Sequence, residues 1–154
     1  MGEKLQQGQV APEFTLADQR GDMVTLSSFH GRCVLVYFYP KADTPGCTTQ
    51  ACALRDVAGQ IGTTAVLGIS PDPIKRLAAF DNKFGLGFPL LSDPDHAVAE
   101  AYGTWVERSM YGRKYMGIER SAFLVGADQA LLGTWYKIAP AKTAPVLLAS
   151  LGTG

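Results

Sequence analysis

The sequence predicts an α/β protein whose mixed central β-sheet is flanked by helices on both faces. Two observations lead to this fold class. Along most of the chain, apolar runs typical of buried strands alternate with stretches of helical periodicity, as they do around parallel strands. Towards the C-terminus, two apolar runs are separated by a short turn-forming segment, which indicates an antiparallel pair. Parallel and antiparallel pairs together predict a mixed sheet.

The first elements are a short hairpin, a central strand and a helix. Residues 14–17 and 23–26 flank a turn-forming segment and predict an N-terminal β-hairpin. Residues 33–39 are apolar on both faces and rich in β-branched and aromatic side chains, so we expect a strand covered on both sides. The helix that follows, over 45–60, begins with a proline, whose missing N–H would have no partner in a first helical turn.

The middle of the chain predicts two further pairs of strand and helix. Residues 65–69 are a second buried strand, followed by a helix over 73–84 with Asp72 as its N-cap. A short strand over 88–91 precedes a helix that Asp95 caps and that stops at a glycine.

The last part of the chain completes the sheet. Residues 107–118 are polar and predict a loop or an irregular hairpin. Strands over 121–125 and 131–138 are joined by a hairpin loop, and a final helix covers 143–151. This order of elements is the layout of a thioredoxin-like fold with an N-terminal β-hairpin extension, and 154 residues is the usual length of a single domain, here 1–154.

Composition and charge exclude several classes of function. The 14 Lys and Arg residues balance the 14 Asp and Glu residues, so the chain lacks the concentrated positive charge that binds nucleic acid or anionic lipid without specificity. Every apolar run is shorter than the roughly 18–20 residues that cross a bilayer, and the first ten residues lack the apolar core of a signal peptide. We therefore expect a cytoplasmic protein.

Three cysteines carry the chemical information in this sequence. Cys33, Cys47 and Cys52 form no C-x-x-C pair, and His30 and His96 are too far apart in sequence to be a typical zinc-binding pair. We therefore expect no metal site. Cys33 opens the central strand with no partner nearby in sequence, so we expect it to be a buried packing residue.

Cys47 lies where a helix start favours a negative charge. Among the first residues of the helix, free backbone N–H groups and the positive end of the helix dipole favour an anion, and a thiolate is one. Because the thiolate is the nucleophilic form of cysteine, this placement should activate Cys47. The hydroxyl of Thr44 can donate to the sulfur or to a substrate oxygen, and Pro40 can shield the site from water.

Cys52 follows Cys47 by five residues on the same predicted helix. In an ideal helix that spacing is a rise of about 7.5 Å and a rotation of about 140°, which separates the two Cα atoms by about 8–9 Å. A disulfide requires roughly 4.4–6.8 Å, so the helix must open if the two residues react. On spacing alone, two cysteines on one helix are more often packing residues than reactive ones.

Two segments resemble a known family. Pro40-x₃-Thr44-x₂-Cys47 is similar to the active-site signature of peroxiredoxins. The segment Cys47-Thr-Thr-Gln-Ala-Cys52 resembles the bacterioferritin comigratory protein / peroxiredoxin Q branch, whose second reactive cysteine follows the first by five residues. The segment around Arg120 resembles the strand that brings the family's arginine to the thiolate. The resemblance covers most of the chain.

The resemblance implies a thiol-dependent peroxidase. Cys47 would be the peroxidatic residue, attacking the O–O bond and becoming a sulfenic acid. Cys52 would resolve it as an intrachain disulfide once the helix unwinds. Thr44 and Arg120 would polarise the peroxide, and a guanidinium near the sulfur would also favour the thiolate.

The resemblance also implies the substrates and partners. Hydrogen peroxide or an organic hydroperoxide would be reduced without metal, haem or flavin, and thioredoxin or a similar dithiol protein would supply the electrons. Pro40 and Gly46 are the expected substrate-binding residues. Gln50 stands where some relatives have glutamate. Because the resolving thiol is in the same chain, we expect a monomer.

Other interpretations remain open from the sequence. A disulfide oxidoreductase on the same fold is disfavoured because a C-x-x-C pair is missing. A redox sensor or holdase would use oxidation to unfold the helix and expose apolar surface. Arg120 follows Glu119 and also fits a solvated surface ion pair. Tyr37 and Phe38 precede the active-site loop and are candidates to line it.

Overall fold

A computed structural model describes residues 3–152 of the chain. The strands and helices are, in chain order, β1 (Thr15–Ala17), β2 (Met23–Thr25), β3 (Val34–Phe38), α1 (Pro45–Asp56), β4 (Ala65–Ser70), α2 (Ile74–Phe84), β5 (Leu90–Ser92), α3 (Ala97–Ala101), β6 (Trp105–Met110), β7 (Arg113–Ile118), β8 (Ser121–Val125), β9 (Leu131–Trp135) and α4 (Thr143–Ser150). Short 3-10 turns cover Leu26–Phe29, Ala58–Gln60 and Pro140–Lys142.

The central sheet has five strands in the order β5-β4-β3-β8-β9. β3 is parallel to β4, and β4 is parallel to β5. β8 is antiparallel to both β3 and β9. The prediction of a mixed sheet is therefore confirmed, and the N-terminal hairpin of β1 and β2 is also present, with Thr15 opposite Thr25.

Apolar side chains cover both faces of this sheet. Along β3 they alternate, so that Leu35 and Tyr37 face one layer whereas Val36 and Phe38 face the other. The first layer is closed by α1, α2 and α4, and the second by α3 and residues of the N-terminal segment. This alternation corrects one expectation: Tyr37 packs in the same cluster as Cys47, but Phe38 lies on the opposite face of the sheet.

Two predicted helix caps are wrong. Asp72 does not cap α2, whose N-cap position is Pro73, and Asp95 does not cap α3, whose N-cap position is His96. The carboxylate of Asp93 instead accepts hydrogen bonds from backbone N–H groups in the first turn of α3. Asp72 binds the loop before α1, a tertiary contact that local spacing does not reveal, whereas Asp93 takes the capping role from two residues before the predicted Asp95.

Several predicted boundaries also change. α1 ends at Asp56 and is followed by a 3-10 turn, and β9 ends at Trp135 instead of residue 138. Residues 105–118 form a regular antiparallel hairpin of β6 and β7, with six consecutive pairs from Trp105 opposite Ile118 to Met110 opposite Arg113. Of the two predictions for this segment, the hairpin is right and its irregularity is wrong. Cys33 is only partly buried, not fully buried as expected.

Candidate active site

The start of α1 follows directly from the loop that leaves β3. Thr44 occupies the N-cap position with an extended backbone, and Pro45 is the first helical residue, as predicted. Cys47 therefore lies in the first turn, where backbone N–H groups have no intrahelical acceptor. Its side chain is 1% exposed, so the sulfur is enclosed by protein in the reduced state.

Arg120 contacts this sulfur across the sheet. It immediately precedes β8, the strand next to β3, and its Nη1 donates to Cys47 Sγ at 3.4 Å. The alternative, a surface ion pair between Arg120 and Glu119, is not seen: Glu119 binds Lys4 at 3.0 Å instead. A fixed cation at this distance stabilises negative charge on the sulfur and on an oxygen bound beside it.

Gln50 holds the guanidinium in place. Its Oε1 accepts from Arg120 Nη1 at 2.8 Å, and its Nε2 donates to Thr143 Oγ1 at 2.8 Å. Gln50 is completely buried, one helical turn after Cys47, so its amide faces the same interior site. The sequence indicated no role for Gln50 and only a helix start at Thr143. The helical spacing from Cys47 indicates that Gln50 faces the same site, whereas no neighbouring residue in the sequence indicates that Thr143 does.

Replacing Thr143 tests this buried chain of hydrogen bonds. Thr143→Val keeps the shape but removes the oxygen that accepts from Gln50, and a buried unpaired donor costs roughly 1–3 kcal/mol. We expect the free energy of unfolding to fall by about that amount in urea titrations. Thr143→Ser, which keeps the hydroxyl, is the control. Equal losses in both variants would contradict a stabilising role for the hydroxyl.

The Thr44 hydroxyl is oriented differently from the sequence expectation. It donates to the backbone carbonyl of Lys41 at 2.8 Å, so its proton is not directed at Cys47. Its oxygen lone pairs remain able to accept a hydrogen bond from a peroxide O–H. In this state the Thr44 hydroxyl braces the loop through its hydrogen bond to Lys41.

The two residues expected to bind substrate both lie near Arg120. Pro40 is exposed and lines, together with Arg120, an open cavity of about 440 Å³. Gly46 packs directly on the guanidinium, because a Cβ at this position would lie 3.0 Å from Arg120 Nη2. A side chain at position 46 would require the guanidinium to give way by a few tenths of an ångström.

Cys52 lies on the same unbroken helix as Cys47. Both thiols are free, and Cys52 is partly exposed. Within residues 3–152, no group of three or more His, Cys, Asp or Glu side chains is arranged to hold a metal ion. Beneath α1, burial raises the pKa of Tyr37 well above its ordinary value, so this phenol stays neutral.

These features suit attack by sulfur on a polarised O–O bond. An enclosed thiol at a helix start can serve as a nucleophile, and the guanidinium can place a fixed positive charge where an oxygen becomes anionic. A second thiol on the same helix is available to react with the oxidised sulfur. Together with a mixed sheet of thioredoxin-like layout, they define the class of thiol-dependent peroxidases.

Comparison with known proteins agrees with this class. The chain belongs to the AhpC/TSA family, which matches residues 7–132. Within that family it groups with peroxiredoxins of the bacterioferritin comigratory protein / peroxiredoxin Q type. A putative peroxiredoxin Bcp of Haemophilus influenzae is 52% identical over 132 residues, covering 84% of this chain and 85% of the relative. Peroxiredoxin Bcp of Escherichia coli K12 is 52% identical over 126 residues, covering 80% and 81%.

Solved structures confirm the thioredoxin-like fold. A mutant of peroxiredoxin Q from Xylella fastidiosa superposes with a TM-score of 0.91 at 30% identity, over 98% of both chains. The bacterioferritin comigratory protein of Xanthomonas campestris, studied for its alkyl peroxide reduction activity, gives 0.86 at 35% identity over 90% of both chains. The chain is thus an antioxidant peroxidase acting on peroxides. Within residues 3–152, no helix is long and apolar enough to span a membrane.

Proposed function

We propose that Cys47 is the peroxidatic residue of this enzyme. The thiolate attacks one oxygen of a hydroperoxide, the S–O bond forms as the O–O bond breaks, and the leaving oxygen departs as water or an alcohol after taking a proton. Cys47 is left as a sulfenic acid. The observation that carries the proposal is the 3.4 Å contact between Cys47 Sγ and Arg120 Nη1.

The residues around the sulfur have separate roles in this step. Arg120 stabilises the thiolate and the charge that develops on the leaving oxygen. Thr44 accepts a hydrogen bond from the peroxide and so orients it for attack. Pro40 borders the substrate at the protein surface, and Gly46 leaves room for the guanidinium. The substrates are hydrogen peroxide and organic hydroperoxides. The alkyl peroxide reduction activity of the Xanthomonas campestris relative supports the second class.

Cys52 is the resolving residue in the proposed cycle. Its sulfur attacks the Cys47 sulfenic acid, an S–S bond forms and water leaves. Five helical residues hold the two Cα atoms about 8–9 Å apart, so the first turns of α1 must unwind before this step. Thioredoxin or a similar dithiol protein then reduces the intrachain disulfide. A resolving thiol in the same chain needs no partner subunit, which supports a monomer.

The variant Cys52→Ser tests this second half of the cycle. The first peroxide should be consumed at the parent rate, because Arg120 and Cys47 are unchanged. Sustained turnover with thioredoxin, its reductase and NADPH should fall by roughly tenfold or more, because no disulfide forms. Sulfinic acid on Cys47, detected by mass spectrometry, should accumulate.

Cys33→Ser is the matched control for this experiment. Cys33 is also partly exposed but lies before β3, away from the start of α1, and should leave sustained turnover unchanged. Full turnover by Cys52→Ser would remove Cys52 from the resolving role. Negligible turnover by the parent, with peroxide-triggered binding of unfolded clients, would favour the sensor or holdase instead.

A further inference from the structure

A buried carboxylate holds the loop that precedes α1, the helix on which Cys47 lies. Oδ2 of Asp72 accepts from the backbone N–H of Ala42 at 2.7 Å and from Ser70 Oγ at 2.8 Å. Ala42 lies between β3 and α1, five residues before Cys47, whereas Asp72 lies after β4. Its side chain is 8% exposed, so the two hydrogen bonds form largely out of water. The carboxylate therefore links the active-site loop to the end of a central strand.

Asp72 does not cap the helix that follows it, which is the usual role of an aspartate at such a position. It makes no cap for α2, and its ion pair with Arg76 is long, 3.7 Å, and half-exposed on the arginine side. A buried carboxylate is unfavourable unless hydrogen bonds compensate it. The backbone of Asp72 is itself anchored, because Ser92 Oγ donates to the Asp72 carbonyl at 2.6 Å. The anchored side chain is directed at the loop.

The loop segment at this anchor sets the position of α1. Asp43 adopts a left-handed backbone, φ 61°, which is unfavourable for a residue other than glycine. Lys83 of α2 binds its carboxylate at 3.0 Å. Thr44 follows at once as the N-cap of α1. The direction in which the helix leaves the loop, and hence the approach of Cys47 to Arg120, therefore depends on how Ala42 and Asp43 are held.

We propose that Asp72 is a positioning residue for the peroxidase reaction, acting through the Ala42 N–H to keep Cys47 beside Arg120. The inference rests on the proposed role of Cys47 as the nucleophile. Without the Asp72 carboxylate, the loop loses its fixed point on the sheet and the sulfur drifts from the guanidinium. Asp72 speeds the first, peroxide-dependent step. It does not speed disulfide formation, because that step requires α1 to leave this position.

Comparing two substitutions separates positioning from charge. Asp72→Ala removes the acceptor, and we expect oxidation of Cys47 by one equivalent of peroxide to slow about tenfold, as displaced reacting groups do. Asp72→Asn keeps one oxygen that can accept from both Ala42 and Ser70, so its rate should stay near the parent value. Rapid quenching, alkylation and mass spectrometry give the rates of sulfenic acid and disulfide formation separately.

Arg76→Ala is the matched control, because it removes the ion pair of Asp72 with Arg76 and leaves the Ala42 contact intact. It should oxidise at the parent rate. Circular dichroism checks that each variant folds. If Asp72→Ala does not, Asp72→Glu takes its place and should also be slowed, because the acceptor moves by one methylene.

The outcomes distinguish this inference from the proposed function. Parent-like oxidation of Asp72→Ala, or equal slowing in Asp72→Asn, would overturn the positioning role. An equal slowing of disulfide formation would do the same, since it would indicate general damage to the fold. If Cys47→Ser consumed peroxide like the parent, the proposed function itself would fail, whatever the result for Asp72.

Discussion

Cys47→Ser is expected to lower peroxide turnover by at least about 10³-fold, the scale on which enzymes lose rate when the nucleophile is removed. A serine hydroxyl at this position fits the same buried space but is not ionised near neutral pH, so Arg120 has no thiolate to stabilise. It also lacks the ability of sulfur to become a sulfenic acid. Both reasons act on the first step, so all later steps disappear as well.

The measurement is peroxide consumption in a single turnover by reduced protein, without any reductant protein. This excludes effects of Cys47→Ser on recycling. The parent should consume one equivalent rapidly and form a sulfenic acid that a dimedone adduct reveals. Cys33→Ser should behave like the parent. Appreciable consumption by Cys47→Ser, or dimedone labelling of another cysteine, would show that a different thiol reacts with peroxide.

Arg120→Met is expected to slow the same step by about 10²–10³-fold, the range found when a preorganised donor to a developing anion is removed. Methionine fills a similar volume, but it carries no charge and donates no hydrogen bond to Cys47 Sγ or Gln50 Oε1. Arg120→Lys keeps the charge but not the planar fork that contacts both groups at once, so we expect an intermediate rate.

Lys137→Met provides the charge-matched control for Arg120. Lys137 lines the same cavity as Arg120 and is exposed. Lys137→Met removes one positive charge near the site, as Arg120→Met does. Stopped-flow measurement of peroxide consumption should therefore find Lys137→Met close to the parent. If both variants were slowed equally, the effect would be a general attraction of substrate and not stabilisation at the sulfur.

Most of the fold was predictable because its central elements are strongly patterned. Residues around β3 are apolar on both faces, and the proline at the start of α1 marks its first turn. The hairpin of β6 and β7 was harder to predict, because most of its side chains are exposed on both faces and leave no alternation to detect. The predicted cap at Asp72 was wrong because its carboxylate binds the distant Ala42 N–H, and the one at Asp95 was wrong because the neighbouring Asp93 binds the start of α3 instead.

The candidate site was predictable only where its residues are close in sequence. Thr44, Cys47 and Cys52 lie within one short segment, and Arg120 was identified through a family resemblance. Gln50 and Thr143 are 93 residues apart and meet only in the folded chain. The cytoplasmic location, the monomer and thioredoxin as reductant stay predictions.

The enclosure of Cys47 makes the active site a filter for molecular size. At 1% exposure, the sulfur offers almost no surface to a bulky reagent, whereas a molecule as small as a peroxide needs only a brief opening of the loop. Thiol-modifying probes should then label Cys33 and Cys52 first in the reduced protein, because both are partly exposed. The most reactive sulfur towards peroxide would be the slowest to be titrated by such probes.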